Sequence, residues 1–190
     1  MTAIGYDVDP VPDRSQLQQL LLAHRPRDPD EHGQRDRMLA LLQASSNAFT
    51  RSHFTPGHFT ASSFVLSPVG DALLLIRHPK LGRWLQPGGH VEDDDADLLG
   101  AARRELLEEV GLADLPLACQ GIFDLDVHRI PEHANEPAHE HFDVRFLFRA
   151  AKRELPAAGV AGEVRWFPLT EIGAGGSDRS VLRVVHKLGG

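Results

Sequence analysis

GGHVEDDDADLLGAARRELLEEVGL, residues 88–112, is the stretch whose reading decides the fold. Its second half reads as a helix from about Ala96 to Val110, with Leu98, Leu99, Ala102, Leu106 and Val110 as an apolar face. Gly111 follows in the C′ position that tolerates positive φ. Glu105, Glu108 and Glu109 stand at i, i+3 and i+4, so their carboxylates share the other face. Acidic clusters of this kind are common on solvated helices. Here, however, the helix is buried on one side, and Gly88 and Gly89 let the backbone approach a ligand closely. Three gathered carboxylates repel one another unless something positive sits between them. Hard oxygen ligands of this type suit Mg²⁺, with Mn²⁺ as an alternative, waters and substrate phosphates completing the shell.

Working outward, FTASSFVLS (59–67) and DALLLIRH (71–78) are β-prone runs separated by the turn Pro68-Val69-Gly70-Asp71. A loop dense in Gly and Pro leads from there into the acidic helix. After it come two expected long strands, around 117–130 and 139–150, then a short strand at 163–167 and a terminal helix at 177–188. Upstream, Leu17, Leu20 and Leu21 mark a helix over 13–24, and Met38, Leu39, Leu41 and Leu42 mark another over 32–46, separated by the breakers Pro26 and Pro29. The order is that of a mixed α/β body from residue 58 to 190, with residues 1–57 as a helical extension. So many apolar residues in the extension predict that it packs on the body or on a second subunit, as in a homodimer.

Composition narrows the classes. The chain has 190 residues, 42% of them hydrophobic and 25% charged, as in ordinary globular domains. No apolar run approaches the roughly 18–20 residues of a membrane span, and the N-terminus does not read as a secretory signal. The formal net charge of −7 argues against bulk binding to nucleic acid. It does not exclude an anionic small molecule, because a bound divalent cation reverses the local field. The single Cys119 has no CxxC partner, which suits a reducing cytoplasm.

Residues 89–112 resemble the Nudix box, G-x5-E-x7-R-E-U-x-E-E-x-G-U with U aliphatic. Arg104 to Leu112 match its second half without a fault. The first half departs: 14 residues separate Gly89 from Arg104, one more than the pattern, and its first acid is best read as Asp95. The WLQPGG entry and the EVRWFPLTEI segment are also similar to Nudix domains. The resemblance implies an α/β/α sandwich with a mixed sheet. It implies Mg²⁺-dependent hydrolysis of a pyrophosphate bond in a nucleoside diphosphate linked to another moiety, a small nucleotide-type substrate. By the same resemblance Glu105 and Glu109 are the chief metal ligands, with Glu108 a further ligand or the base that activates water. The Gly88 carbonyl is another ligand, and Arg104 orients the glutamates through an ion pair. Two alternatives remain: a Nudix-fold binding domain, against which the intact glutamates weigh, and a prenyl diphosphate isomerase, for which Cys119 is poorly placed.

Candidates outside the box come from strand alternation. Over 139–148, His139, His141, Asp143 and Arg145 share one face and Phe142, Val144, Phe146 and Phe148 the other. His141 or Arg145 is expected to reach a substrate cleft, while Asp143, Glu140 or Glu163 could supply a further carboxylate. Arg77, next to last in the DALLLIRH run, is a further substrate-binding candidate. Four histidines lie within 128–141, but their spacing makes no zinc motif. Subclass signatures do not name a substrate: the tyrosine that follows the box in dinucleoside polyphosphate hydrolases has no counterpart, since the sole tyrosine is Tyr6.

Overall fold

The extension opens on two capped helices. Asp13 accepts hydrogen bonds from the amides of Ser15 and Gln16 and starts α1 (Arg14–Ala23). Asp28 caps α2 (Pro29–Ala44) in the same way. Pro29, expected to break the chain, occupies the first helical turn, where its missing N–H is no loss, so α2 begins earlier than its apolar residues suggest. The structure is a computed structural model that describes residues 13–78, 81–133, 136–156, 162–173 and 179–189. Tyr6, the N-terminal segment read for a signal, and the expected start of the last helix at 177 lie outside these residues.

Among the described residues, the body is a seven-stranded mixed sheet. Strand β1 (Gly57–Leu66) runs parallel to β6 (His139–Arg149), with His58 opposite His141 and Thr60 opposite Asp143. On its other side β1 pairs antiparallel with β2 (Ala72–Arg77) and with the short β4 (Gly88–His90). The remaining strands are β3 (Trp84–Leu85) and β7 (Val164–Pro168), both against β2, and β5 (Asp124–Ile130), against β6. Two short strands thus form inside the Gly/Pro loop. The long strand expected over 117–130 is confined to its second half. Leu117 makes only an isolated bridge to Phe148, and Gly121, at φ +72°, turns the chain before β5.

Helices cover both faces. On one, α1, α2 and α3 (Leu98–Val110) bury Leu17, Leu21, Met38, Leu41, Ala102 and Leu106 against Phe59, Ala61, Phe142, Val144 and Phe146. Leu17, Leu21, Met38, Leu41 and Leu42 of the extension are therefore covered within one chain, while Leu22 stays exposed. On the other face α4 (Arg179–Gly189) sets Val181 and Val184 on Phe64, Leu73, Leu75 and Leu147. Among the described residues, no helix is long and apolar enough to cross a membrane.

The face under α4 is apolar at one end and polar along the rest. Arg145, 1% exposed, donates to Asp143 (2.7 Å), Asp126 (3.0 Å) and Asp124 (3.2 Å). Arg183 of α4 joins Asp124 and Asp126, and Lys187 joins Asp124 and Glu31 of α2. Charges this deeply buried persist only when paired. This set ties strand, terminal helix and extension into one network.

Candidate active site

The box helix α3 is fixed at both ends and along one side. Asp97 caps it by accepting from the Gly100 amide (2.7 Å), Gly111 closes it at φ +77°, and the Ser63 hydroxyl donates to the Ala102 carbonyl (2.8 Å). With Leu98, Ala101, Ala102, Leu106 and Val110 buried, the three glutamates are left on the side facing β4 and solvent. The β4 glycines are required there. A Cβ on Gly89 would lie 2.4 Å from Glu105 Oε1, and one on Gly88 2.4 Å from Ser62 Oγ and 2.7 Å from the Ala61 carbonyl.

The carboxylates differ in their partners. Glu109 Oε2 accepts from the Gly88 amide at 2.9 Å. Burial, together with the charges of Glu105 and Glu108, pushes its pKa up to about 7 despite that bond. Glu105 is also raised, chiefly by burial, although Arg104 pulls the other way. Among the described residues, Arg104 is the one cation paired with them. Its fork grips Asp95 at 3.0 Å twice and it donates to Glu105 (3.0 Å), Glu108 (3.3 Å) and the His90 carbonyl (2.8 Å). Asp95, the displaced first acid of the box, thus anchors the arginine, and burial does not weaken the resulting guanidinium: its pKa rises further. Burial is the main cause of both raised pKa values, and the neighbouring carboxylates add to it. The donor set is hard oxygen throughout and fits Mg²⁺ or Mn²⁺ held by Glu105, Glu108 and Glu109.

The candidates outside the box fall in several places. Asp143 is buried beside the glycine strand, accepting from Thr60 (3.1 Å) and Ser62 (2.8 and 2.9 Å), with Gln86 Nε2 at 3.4 Å. Ser62 in turn abuts Gly88, so Asp143 supports the strand behind the glutamates. Arg145 is not offered to a cleft. All its donating nitrogens are taken by aspartates, because β5 sets Asp124 and Asp126 beside it and α4 lies over the polar face that strand alternation left undirected. Arg77 and Glu163 form an exposed pair with each other (2.9 Å) at the border of β2 and β7, rather than with the box helix. Glu140 pairs with Arg37 of α2.

His141 stands in a group that no sequence spacing announces. Its ring lies 4.9 Å from that of His58 and 5.1 Å from that of His90, between centroids. Burial lowers the pKa of His58 and His90 to about 4 and that of His141 to about 2. Beside this group and the box loop opens a cleft of about 770 Å³. Its walls include Asn47, Phe49, Arg51 and Phe54 from the chain after α2, and Val91 and Glu92 from the box. These extension residues were missed because the segment carries no motif; the bulk of its apolar and basic groups was the only signal.

Three comparisons bear on this geometry. The sequence matches the NUDIX domain family over residues 56–185. It is 32% identical over 124 residues to a "Probable DHNTP pyrophosphohydrolase" of Lactococcus lactis subsp. cremoris, covering 64% of this chain and 72% of that protein. Among solved structures, the E. coli dihydroneopterin triphosphate pyrophosphohydrolase superposes with a TM-score of 0.54 at 16% identity, covering 68% of this chain and 92% of that one. A C. elegans Ap4A hydrolase does so with a TM-score of 0.51 at 16% identity, covering 69% and 94%. At such identities the last two speak for the fold alone.

Proposed function

The chain belongs to the Nudix family and is a Nudix hydrolase, and from that premise we propose that it splits, with Mg²⁺, the pyrophosphate bond of a nucleoside diphosphate joined to a second group. The observation that carries this reading is the set of three glutamates on α3, two with raised pKa values, gathered against a glycine strand with one arginine among them. A divalent ion bound there would neutralise phosphate charge and lower the pKa of an attacking water. The chain's own part is positional. Arg104 and Asp95 fix the glutamate face, the Gly88 amide aims Glu109, and Gly89 leaves room for the Glu105 carboxylate. Glu108, the most exposed of the three, is the glutamate open to a water and serves as ligand or base.

The cleft between the extension and the box loop suits the part of the substrate that does not react. Phe54 offers aromatic surface to a heterocycle, and the exposed Arg51, paired with Glu136 at 3.1 Å, offers a cation to a phosphate. The heterocycle is a nucleobase in our reading. The Lactococcus relative's name puts a pterin triphosphate in the same test. Phosphate or pyrophosphate release would be measured over a panel of nucleoside diphosphate derivatives, nucleoside triphosphates and dihydroneopterin triphosphate, with and without Mg²⁺. Glu109→Gln is expected to lower kcat at least about a hundredfold, the loss of several kcal/mol of transition-state stabilisation, with Tm retained. Near-normal turnover in that variant would refute the reading.

A further inference from the structure

On the sheet face opposite α3, three strands each contribute one imidazole: His58 from β1, His90 from β4 and His141 from β6. One ring nitrogen of each lies within 4.8 Å of the others. The register explains the meeting. His58 is directly opposite His141 across the parallel β1/β6 pair, and His90 is opposite Thr60, whose side chain lies on the same face as that of His58. The same alternation turns the neighbouring Gly89 toward Glu105 on α3. The histidines and the glutamates therefore lie on opposite sides of β4.

The hydrogen bonds leave a lone pair on His58 and on His141. His58 Nδ1 donates to the His53 carbonyl (3.2 Å), which puts the lone pair on Nε2. That buried atom has no hydrogen-bond partner among the described residues. His139 Nδ1 donates to the Pro137 carbonyl (2.8 Å), so its Nε2 accepts from His141 Nε2 (3.3 Å), leaving the His141 Nδ1 with a lone pair. An imidazole whose second nitrogen is held by a carbonyl or another fixed acceptor is prepared as a metal ligand. We propose that His58, His90 and His141 bind a Zn²⁺-class transition metal ion, at a site separate from the carboxylates of α3. Three neutral imidazoles select such an ion over Mg²⁺ and leave a fourth position for water or an anion. Tetrahedral bonds of about 2.0–2.1 Å place ligand nitrogens about 3.4 Å apart, so the trio closes by an ångström or so on binding. The bound ion clamps β4 to β1 and β6.

The probe is Co²⁺, added to metal-stripped protein in the presence of excess Mg²⁺. One equivalent is expected to give the intense visible bands of four- or five-coordinate Co²⁺, bleached by one equivalent of Zn²⁺. His58→Gln, His90→Gln and His141→Gln should each weaken binding at least about tenfold. Zn²⁺ should raise Tm in the wild type but not in these variants. His90 and His141 are less buried than His58, so their variants decide should His58→Gln fold poorly. E105Q/E109Q should keep the bands, which separates this site from the hydrolytic one. The proposal is overturned if only the pale spectrum of six-coordinate Co²⁺ appears. It is equally overturned if the bands vanish in E105Q/E109Q and survive in the histidine variants.

Discussion

Glu105 and Gly89 touch so closely that the glycine acts as part of the carboxylate's binding surface. Alanine there would need the Glu105 carboxylate to move, since a Cβ would sit 2.4 Å from Oε1 and 2.7 Å from Cδ. The side chain is flexible enough to yield, so folding should survive and ligand geometry should not. Gly89→Ala is therefore expected to lower kcat by about tenfold or more, as does misplacement of a reacting group by an ångström, with Tm shifted by little. A variant with wild-type kcat would show that Glu105 tolerates the move. Arg145 predicts the reverse pattern. Its removal leaves Asp124, Asp126 and Asp143 facing one another with less compensation, a loss of about 3–5 kcal/mol for a broken buried pair. Arg145→Ala should lower Tm sharply while KM of whatever protein folds stays unchanged. A tenfold rise in KM at constant Tm would return Arg145 to the substrate.

At the scale of elements, the extension acts as a wall of the body. Leu17, Leu21, Met38, Leu41 and Leu42 are buried in the same core as Phe59 and Phe142. At about 1.5–3 kcal/mol for each such side chain, their burial is comparable with a typical folding stability of about 5–15 kcal/mol. A chain beginning at His58 should aggregate or lose cooperative unfolding; a soluble one with unchanged Tm would disprove this. The elements also show what a sequence reveals. The α3 helix was legible throughout, because its apolar period, its glutamate face and its closing Gly111 all act within a few residues. The start of α2 was misplaced, since Pro29 breaks a helix interior yet favours a first turn, and only the cap by Asp28 separates the two cases. The direction of the polar face of β6 was not legible. Alternation groups His141, Asp143 and Arg145 together, but the cover comes from Arg183 and Asp126, remote in sequence. The histidine trio was invisible for the same reason: positions 58, 90 and 141 meet only through strand register.

Over the whole molecule, the buried charge network joins α2, α4, β5 and β6, and it makes folding sensitive to acid. Burial alone would raise the Glu31 pKa, but bonds from His24, Lys187 and the Arg27 amide bring it from 4.5 to about 2. A folded pKa below the unfolded one means that the unfolded chain binds more protons between the two values. The stabilisation by Glu31 is thus complete above about pH 4.5 and is lost as pH falls toward 2; it amounts to something on the order of 3 kcal/mol. Across that window Tm of the wild type should fall more steeply than that of Glu31→Gln. Parallel curves would exclude the linkage. The same network sets a condition on how the chain is made. Lys187 reaches back over 156 positions to Glu31, in a cluster that also holds Asp124 and Arg183. A ribosome releases the extension, the sheet strands and the box helix long before residue 187 emerges. During that interval Glu31 and Asp124 lack their lysine, and the face of the sheet that α4 covers is open to water. The nascent chain therefore cannot settle domain-like from its N-terminus forward. Completion waits for α4 to emerge, and a chain cut before Lys187 would lack the counter-charge that closes the interior.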